Sequence, residues 1–441
     1  MRFFCPKGRI YLLHWENRRI QVDVVHKLPL NQMNVLISLS ALLISVLLLQ
    51  VGSGSLGPLD ALSGAKFGFS ATEIGLLGSA HFIGLFLGCF INPWLIRRSG
   101  HSRCFAVMAS ASAISAIMHP IFIDVYFWAF LRVLTGFAIA GGYTVIESWL
   151  QAKLVNENRG RFFSLYRVFD MVGTIMAQGV IATLDPGTYV AYNIIAVVAC
   201  MSLMPLALTQ SVPPELPEPS RFRPLFALTL SPLAGIGIIA SGLTNSSIRM
   251  VGPVYALEIG LTATGTAIFL AMAVLGGALI QIPAGMITDR FNRRYVLIGF
   301  SFAAILISYI TGAAAWLNLS NEYTAFAMVF LFGAATMPIY SICATHANDF
   351  AAPKDLVDLS ASLLLLYAIG AIISPIVSGF LIELYGAGAM FIYIGAIHSV
   401  LVLYSIWRMG IRPAISTTSY RYVPRTSLFI NAILRNTNGR K

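Results

Sequence analysis

The sequence predicts an all-α membrane protein of twelve transmembrane helices in two six-helix, pseudo-symmetric halves, and three observations carry that prediction. Of 441 residues, 57% are apolar and only 11% are charged, against about 25% charged in a soluble domain. The apolar runs are long and do not alternate in polarity. They therefore fit helices of roughly 20 residues crossing a bilayer and exclude the closed barrel, the other fold that satisfies its backbone in lipid. Third, the order of elements recurs once along the chain.

Taken in order, residues 1–32 are polar and basic (Arg2, Lys7, Arg9, Arg18, Arg19, Lys27) and lack the apolar stretch of a secretory signal. They read as a cytoplasmic tail, or as an extension upstream of a start at Met33. Apolar runs and breaker clusters then place spans at about 34–57, 73–96, 104–121, 125–149, 163–184 and 189–209, the first half being 33–210. Residues 211–224 form a Pro-rich polar linker. The second half, 225–408, holds spans at about 225–250, 262–287, 295–314, 322–346, 359–382 and 388–408, and 409–441 is a basic tail.

The charges orient the spans. Of the 29 lysines and arginines, all but Lys66, Arg132 and Arg249 fall in segments on one side of the membrane, which is the cytoplasmic side by the positive-inside rule, so both termini are expected there. The net charge of +11 is therefore a surface facing anionic lipids, not a nucleic-acid site. Cys5, Cys89, Cys104, Cys200 and Cys343 lie far apart without metal or redox spacing. There is no P-loop and no room in the tails for a catalytic domain, so no cofactor, metal or enzymatic activity is expected. A monomer is expected.

The repeat is visible in short stretches. GPLDAL at Gly57 and GFSATEIG at Gly68 recur as GPVYAL at Gly252 and GLTATGTA at Gly260, at offsets of 195 and 192; RVLTGFAIAGGY at Arg132 recurs as VFLFGAATMPIY at Val329, at an offset of 197. Transporters built from two repeats bind solute near the bilayer midplane and rock one half against the other. Such a machine needs an inner latch. GMITDRFNRR supplies one: Gly285 for close helix approach, Asp289 as a carboxylate at a helix end, and Arg290, Arg293 and Arg294 as charge-assisted donors.

This stretch resembles the loop signature of the major facilitator superfamily, with Asn292 where the signature has its second glycine. The first-half copy, PWLIRRSGHSR, keeps Arg98, Gly100 and Arg103 but has Pro93 and Arg97 in place of the glycine and the aspartate. Arg132 with Gly136 and Gly141 resembles the fourth-helix pattern of the family. Gly370, Pro375 and Gly379 resemble the antiporter motif, but in the eleventh helix; its fifth-helix counterpart MVGTIMAQG lacks proline, so antiport is not supported. The resemblance covers about residues 33–410, points to a poorly characterised bacterial branch, and implies the twelve-helix fold and an inner-membrane secondary transporter.

Several polar side chains in the spans are candidates for function. Arg132, roughly 10 Å inside the outer end of its span, cannot shed its proton and needs an anion: a substrate carboxylate, a coupling acid or a fixed ion pair. Asp170 is the expected proton carrier, since burial disfavours an ionised carboxyl and a nearby cation restores it; the alternative is a helix-end pair with Arg167. Glu147 is expected to meet Arg159, Arg161 and Arg167 as a gate or anchor. Gln50 and Asn245, equivalent at 195, suit a midplane site or a plain interhelical hydrogen bond, and Tyr143 and Tyr340, equivalent at 197, suit cavity walls or ordinary packing. His81 and His119 lack ligand spacing, although His81 can line the pathway. Arg249 reads as an interfacial or gate charge, and Arg97 and Arg98 belong with the gate. The reading is a secondary transporter of a small solute working by alternating access, proton-coupled in preference to a facilitated-diffusion uniporter. The rival is a non-transporting receptor or scaffold that keeps the fold.

Overall fold

A computed structural model describes residues 30–153, 159–208, 223–352 and 355–411. Both tails, except residues 30–32 and 409–411, and the linker, except 223–224, lie outside the described residues. The first half consists of α1 (Leu30–Lys66), α2 (Ala71–Ser99), α3 (His101–Met118), α4 (Val125–Lys153), α5 (Arg159–Thr183), α6 (Tyr189–Met201) and α7 (Leu203–Ala207). The second half runs α8 (Phe226–Leu230), α9 (Pro232–Met250), α10 (Gly252–Glu258), α11 (Ala263–Arg290), α12 (Arg293–Trp316), α13 (Glu322–Thr336), α14 (Pro338–Asn348), α15 (Leu356–Tyr385) and α16 (Gly388–Ile411). The helices α6–α7, α8–α10 and α13–α14 are interrupted single spans, which restores the expected twelve. Among the described residues nine segments are long and apolar enough to cross a membrane by length and composition; α3, α5 and α9 are shorter or more polar.

The first span departs from expectation. The sequence suggests an end at Gly57, before Pro58, yet α1 continues through Pro58 to Lys66. In lipid an interrupted backbone is expensive, so a proline is more often absorbed within a helix than allowed to end it. Nine residues, Asp60 among them, thereby join the span. At the equivalent position of the second half the chain does break, between Met250 and Gly252.

The repeat recurs in three dimensions. Gly68 and Gly260, at the 192 offset, both turn the chain with positive φ (86° and 87°). Ser70 and Thr262 then cap α2 and α11 by accepting from Glu73 N and Gly265 N. Where α2 crosses α4, a Cβ on Gly84 would overlap the Val133 carbonyl and one on Gly136 the His81 carbonyl. At the α11–α13 crossing, Gly276 meets Phe330 and Gly333 meets Ala273 in the same way, at the same offsets of 192 and 197.

Among the described residues the two halves share a core at one end. The face carrying Arg97, Arg98, Arg103, Arg290, Arg293 and Arg294 is the basic face; the opposite, distal face carries the α1–α2 and α5–α6 connections. Near the distal face a shared core unites Ala61, Ala71, Ile74 and Phe82 with Val251, Tyr255, Phe269 and Phe391, and a second unites Leu62 and Ile181 with Ala267. Gly75 and Gly379 seat against the backbones of Pro375 and Ala71, and Thr72 bonds Glu383. Towards the basic face the cores are separate: Leu42, Phe105, Ile146 and Trp149 in one half, Leu233, Ile339, Leu363 and Leu401 in the other. Among the described residues the space between the halves is closed by packing at the distal end and bordered by separate cores towards the basic face.

Candidate functional site

The two halves present matching triads to this space. In the first half the Tyr143 hydroxyl lies between Gln50 Oε1 and Asp170 Oδ1, the latter at 2.7 Å, and Gln50 Nε2 donates to Thr174 Oγ1 at 2.8 Å. The network joins α1, α4 and α5 through the single Tyr143 hydroxyl. Asp170 Oδ2 is also 3.3 Å from Arg167 Nη1, one turn away. In the second half, the offsets of 195 and 197 map this triad onto Asn245, Tyr340 and Tyr367. Asn245 Nδ2 donates to Ser241 Oγ at 3.2 Å, and the rings of Tyr340 and Tyr367 meet edge to face, with centroids 5.7 Å apart. Tyrosine stands where the first half has its acid, so one wall is charged and hydrogen-bonding and the other aromatic.

The anion beside Arg132 is not Asp170. Arg132, 1% exposed, places Nε 3.6 Å from Asp60 Oδ2, and Asp60 is itself 1% exposed. His119 completes the cluster: its Nδ1 donates to the Ser115 carbonyl at 2.7 Å, which turns Nε2 towards Asp60 Oδ2 at 3.3 Å. With Nδ1 committed as donor, Nε2 and the carboxylate are two acceptors face to face unless one proton is held between them. Tyr192 stacks on the His119 ring with centroids 5.4 Å apart, and Trp128 Nε1 donates to the His119 carbonyl at 2.9 Å. The Arg132 guanidinium also reaches across the seam, with Nη2 3.5 Å from Met250 Sδ in the second half. Beside it, His81, Ser112, Thr135 and Arg132 line a small cavity of the first half, in which His81 Nδ1, Ser112 Oγ and Arg132 Nη1 are buried without hydrogen-bond partners.

On the basic face, Gly285 meets nothing within 4 Å, so no close helix approach occurs there. Asp289 and Arg290 are exposed, and Asp289 forms no ion pair with a described residue. The paired acid is Asp349, after α14: Arg293 bonds its carboxylate and also donates to the Thr345 carbonyl at 2.8 Å, a lock within the second half. Arg294 is buried, and its backbone N–H donates to the capping Asn292. Arg97 is exposed, while Arg98 lies over the Trp94 ring at 5.5 Å. Glu147 accepts from Tyr166 Oη at 2.9 Å; the side chains of Arg159 and Arg161, its expected partners, lie outside the described residues.

Sequence reasoning thus grouped Gln50, Tyr143, Asn245 and Tyr340 but missed Asp60, Tyr192, Tyr367 and Asp349. Two signals were available. Arg132 demanded an anion at its own depth, and GPLDAL holds one six residues, about 9 Å, below Lys66; Tyr367 follows from Asp170 at the 197 offset.

Comparison with known proteins agrees with this architecture. The family model described as the Major Facilitator Superfamily matches residues 42–234 and again 233–435, one copy for each half. An uncharacterised MFS-type transporter of Enterobacter sp. (strain 638) is 27% identical over 374 residues, covering 84% of this chain and 96% of the relative. The uncharacterised MFS-type transporter YcaD of Salmonella typhi is 25% identical over the same shares of both chains. Among solved structures, the nucleoside transporter NupG superposes with a TM-score of 0.69 at 14% identity, covering 85% of this chain and 98% of its own. The D-xylose-proton symporter does so with 0.65 at 15%, covering 86% and 97%. A bacterial homologue of the human lysosomal transporter Spinster, in an inward-facing and unoccupied conformation, gives 0.66 at 15%, covering 86% and 94%. With both halves matched by the family model and a bundle sealed at one end, the chain belongs to the major facilitator superfamily of membrane transporters.

Proposed function

We propose that this chain is a secondary transporter of the bacterial inner membrane, with both termini cytoplasmic, that moves a small solute by alternating access and couples it to protons at Asp60. The observation that carries this reading is the buried Asp60, facing Arg132 on one side and an acceptor nitrogen of His119 on the other. A proton taken up between Asp60 and His119 neutralises the charge that holds Arg132. Arg132 in turn touches Met250 across the seam between the halves, so the proton's arrival changes an inter-half contact. The basic face supports a cytoplasmic opening, which makes this the inward-open state. The NupG and D-xylose symporter likenesses support a solute of metabolite size.

A second reading is favoured by one observation: Asp170, half-buried at the central space and bonded by Tyr143, is an alternative proton carrier. One experiment separates them. A thermal-shift screen of metabolites supplies a solute, and proteoliposomes then compare gradient-driven accumulation with counterflow, which needs no gradient. Asp60→Asn is expected to abolish accumulation and keep counterflow, whereas Asp170→Asn, on the wall of the central site, keeps accumulation in proportion to the counterflow it retains. The opposite pattern assigns coupling to Asp170, and accumulation surviving in both variants removes proton coupling. A scaffold would show no counterflow with any solute.

A further inference from the structure

The sequence offers Arg249 only as an interfacial or gate charge, and its surroundings assign it more. On α9 its neighbours are closed in: Ser247 is 0% exposed, Ile248 5%, Met250 4% and Val251 0%. Arg249 itself is exposed. Because the shared distal core takes in Ile248, Met250, Val251 and Val254, the exposed guanidinium does not reach bulk water on that side. The side left open to it is the central space. Two facts agree. Arg249 lies one turn beyond Asn245 and two beyond Ser241, so the three form one stripe at helical spacing. Its charge is felt electrostatically at Tyr143 and Tyr367, one from each triad, and at His81 and Arg132.

The charge balance of the space then becomes uneven. Asp170 has Arg167 and Tyr143 as partners, and Glu147 has Tyr166. Asp60 is committed to Arg132 and His119. Among the described residues Arg249 makes no ion pair and no hydrogen bond. The repeat marks it as an addition, since its first-half equivalent at the 195 offset is Gly54, where a Cβ would sit 3.1 Å from Ala177 Cβ. One half leaves no room for a long side chain, and the other places a free cation at the sealed end. An intramembrane cation in a cavity marks a substrate or ion pathway, and a planar guanidinium matches an oxyanion with two parallel hydrogen bonds.

We infer that Arg249 is the anion-binding end of the central site, and that the solute carries one oxyanion group, a carboxylate or a phosphate, docked there. The body of the solute then lies between the hydrogen-bonding wall of Gln50, Tyr143 and Asp170 and the aromatic wall of Tyr340 and Tyr367. This inference rests on the transport reading for its setting, not for its chemistry.

The test uses purified full-length chain and three panels of similar size: monocarboxylates, phosphate monoesters, and uncharged sugars and nucleosides. An oxyanion panel is expected to raise the thermal stability of the wild type. Arg249→Gln, in a position exposed enough to tolerate it, is expected to weaken that binding roughly 10- to 100-fold, the loss of a charge-assisted bond, and Arg249→Lys to recover part of it. Carboxylates alone or phosphates alone identify the group. The inference is overturned if neither oxyanion panel stabilises the wild type, or if Arg249→Gln binds as well as the wild type does. Counterflow keeps the two claims apart. Binding through Arg249 without exchange supports the site and removes transport; exchange of an uncharged solute that ignores Arg249→Gln keeps transport and removes the site.

Discussion

Replacing Asp60 by Asn would leave Arg132, at 1% exposure, beside an amide in place of a carboxylate. Breaking a buried pair by removing one partner costs about 3 to 5 kcal/mol, because an uncompensated charge stays behind. Asp170 is a built-in comparison. Its cation, Arg167, has a side chain 63% exposed, and pairs so open to solvent contribute at most about 1 kcal/mol. The structure therefore orders the variants: Asp60→Asn loses most, Asp170→Asn little. The double variant Asp60→Asn, Arg132→Gln is expected to be more stable than the single effects sum to, because the stranded cation has gone with its partner. Thermal denaturation of purified protein in one detergent, with aggregation followed in parallel, reads all four proteins. Equal losses at Asp60 and Asp170, or a double variant no better than additive, would refute the buried pair as described.

Three further outcomes follow from other parts of the molecule. Gly136→Ala puts a methyl into the His81 carbonyl and should destabilise by about 1 to 3 kcal/mol through overpacking, whereas Gly285→Ala, with nothing within 4 Å, should be neutral or up to about 1 kcal/mol stabilising; denaturation of the two variants decides. Glu383→Ala removes the carboxylate that accepts from Thr72 across the distal seam, and cysteines placed at the distal ends of α2 and α15 should then label faster with a membrane-impermeant thiol reagent. Asp289→Asn is expected to change the accessibility of cysteines on the basic face only when that face is closed, since in the open state Asp289 has no ion-pair partner among the described residues; unchanged labelling together with unchanged transport would remove Asp289 from the latch.

The sequence carried the fold because lipid makes helix length and apolarity nearly obligatory, and because duplication left equivalent turns, caps and helix crossings at nearly constant offsets. It carried the triads in part for the same reason: Gln50 with Asn245, and Tyr143 with Tyr340, are visible as pairs. Asp60 was hidden by Pro58, which reads as a stop in water and is absorbed in α1. One partner of the latch stretch is hidden for another reason. GMITDRFNRR contains its own acid, but Arg293 turns back to Asp349, nearly sixty residues on, and no local pattern announces that partner. Arg249 reads as interfacial from sequence because it lies near a helix end, and the burial of its neighbours Ile248, Met250 and Val251 becomes visible only in the folded chain.

Alternating access under the control of Asp60 is the central claim, and paired distance measurements test it most directly. One spin-label pair spans the basic face, at Trp94 and Leu364, and another the distal face, at Asp185 and Thr262; all four positions are exposed. Relative to the wild type at neutral pH, Asp60→Asn, which mimics the protonated acid, is predicted to move the two distances in opposite directions, the basic face closing as the distal face opens. Distributions identical to the wild type in both pairs, or two distances that change in the same direction, would contradict it.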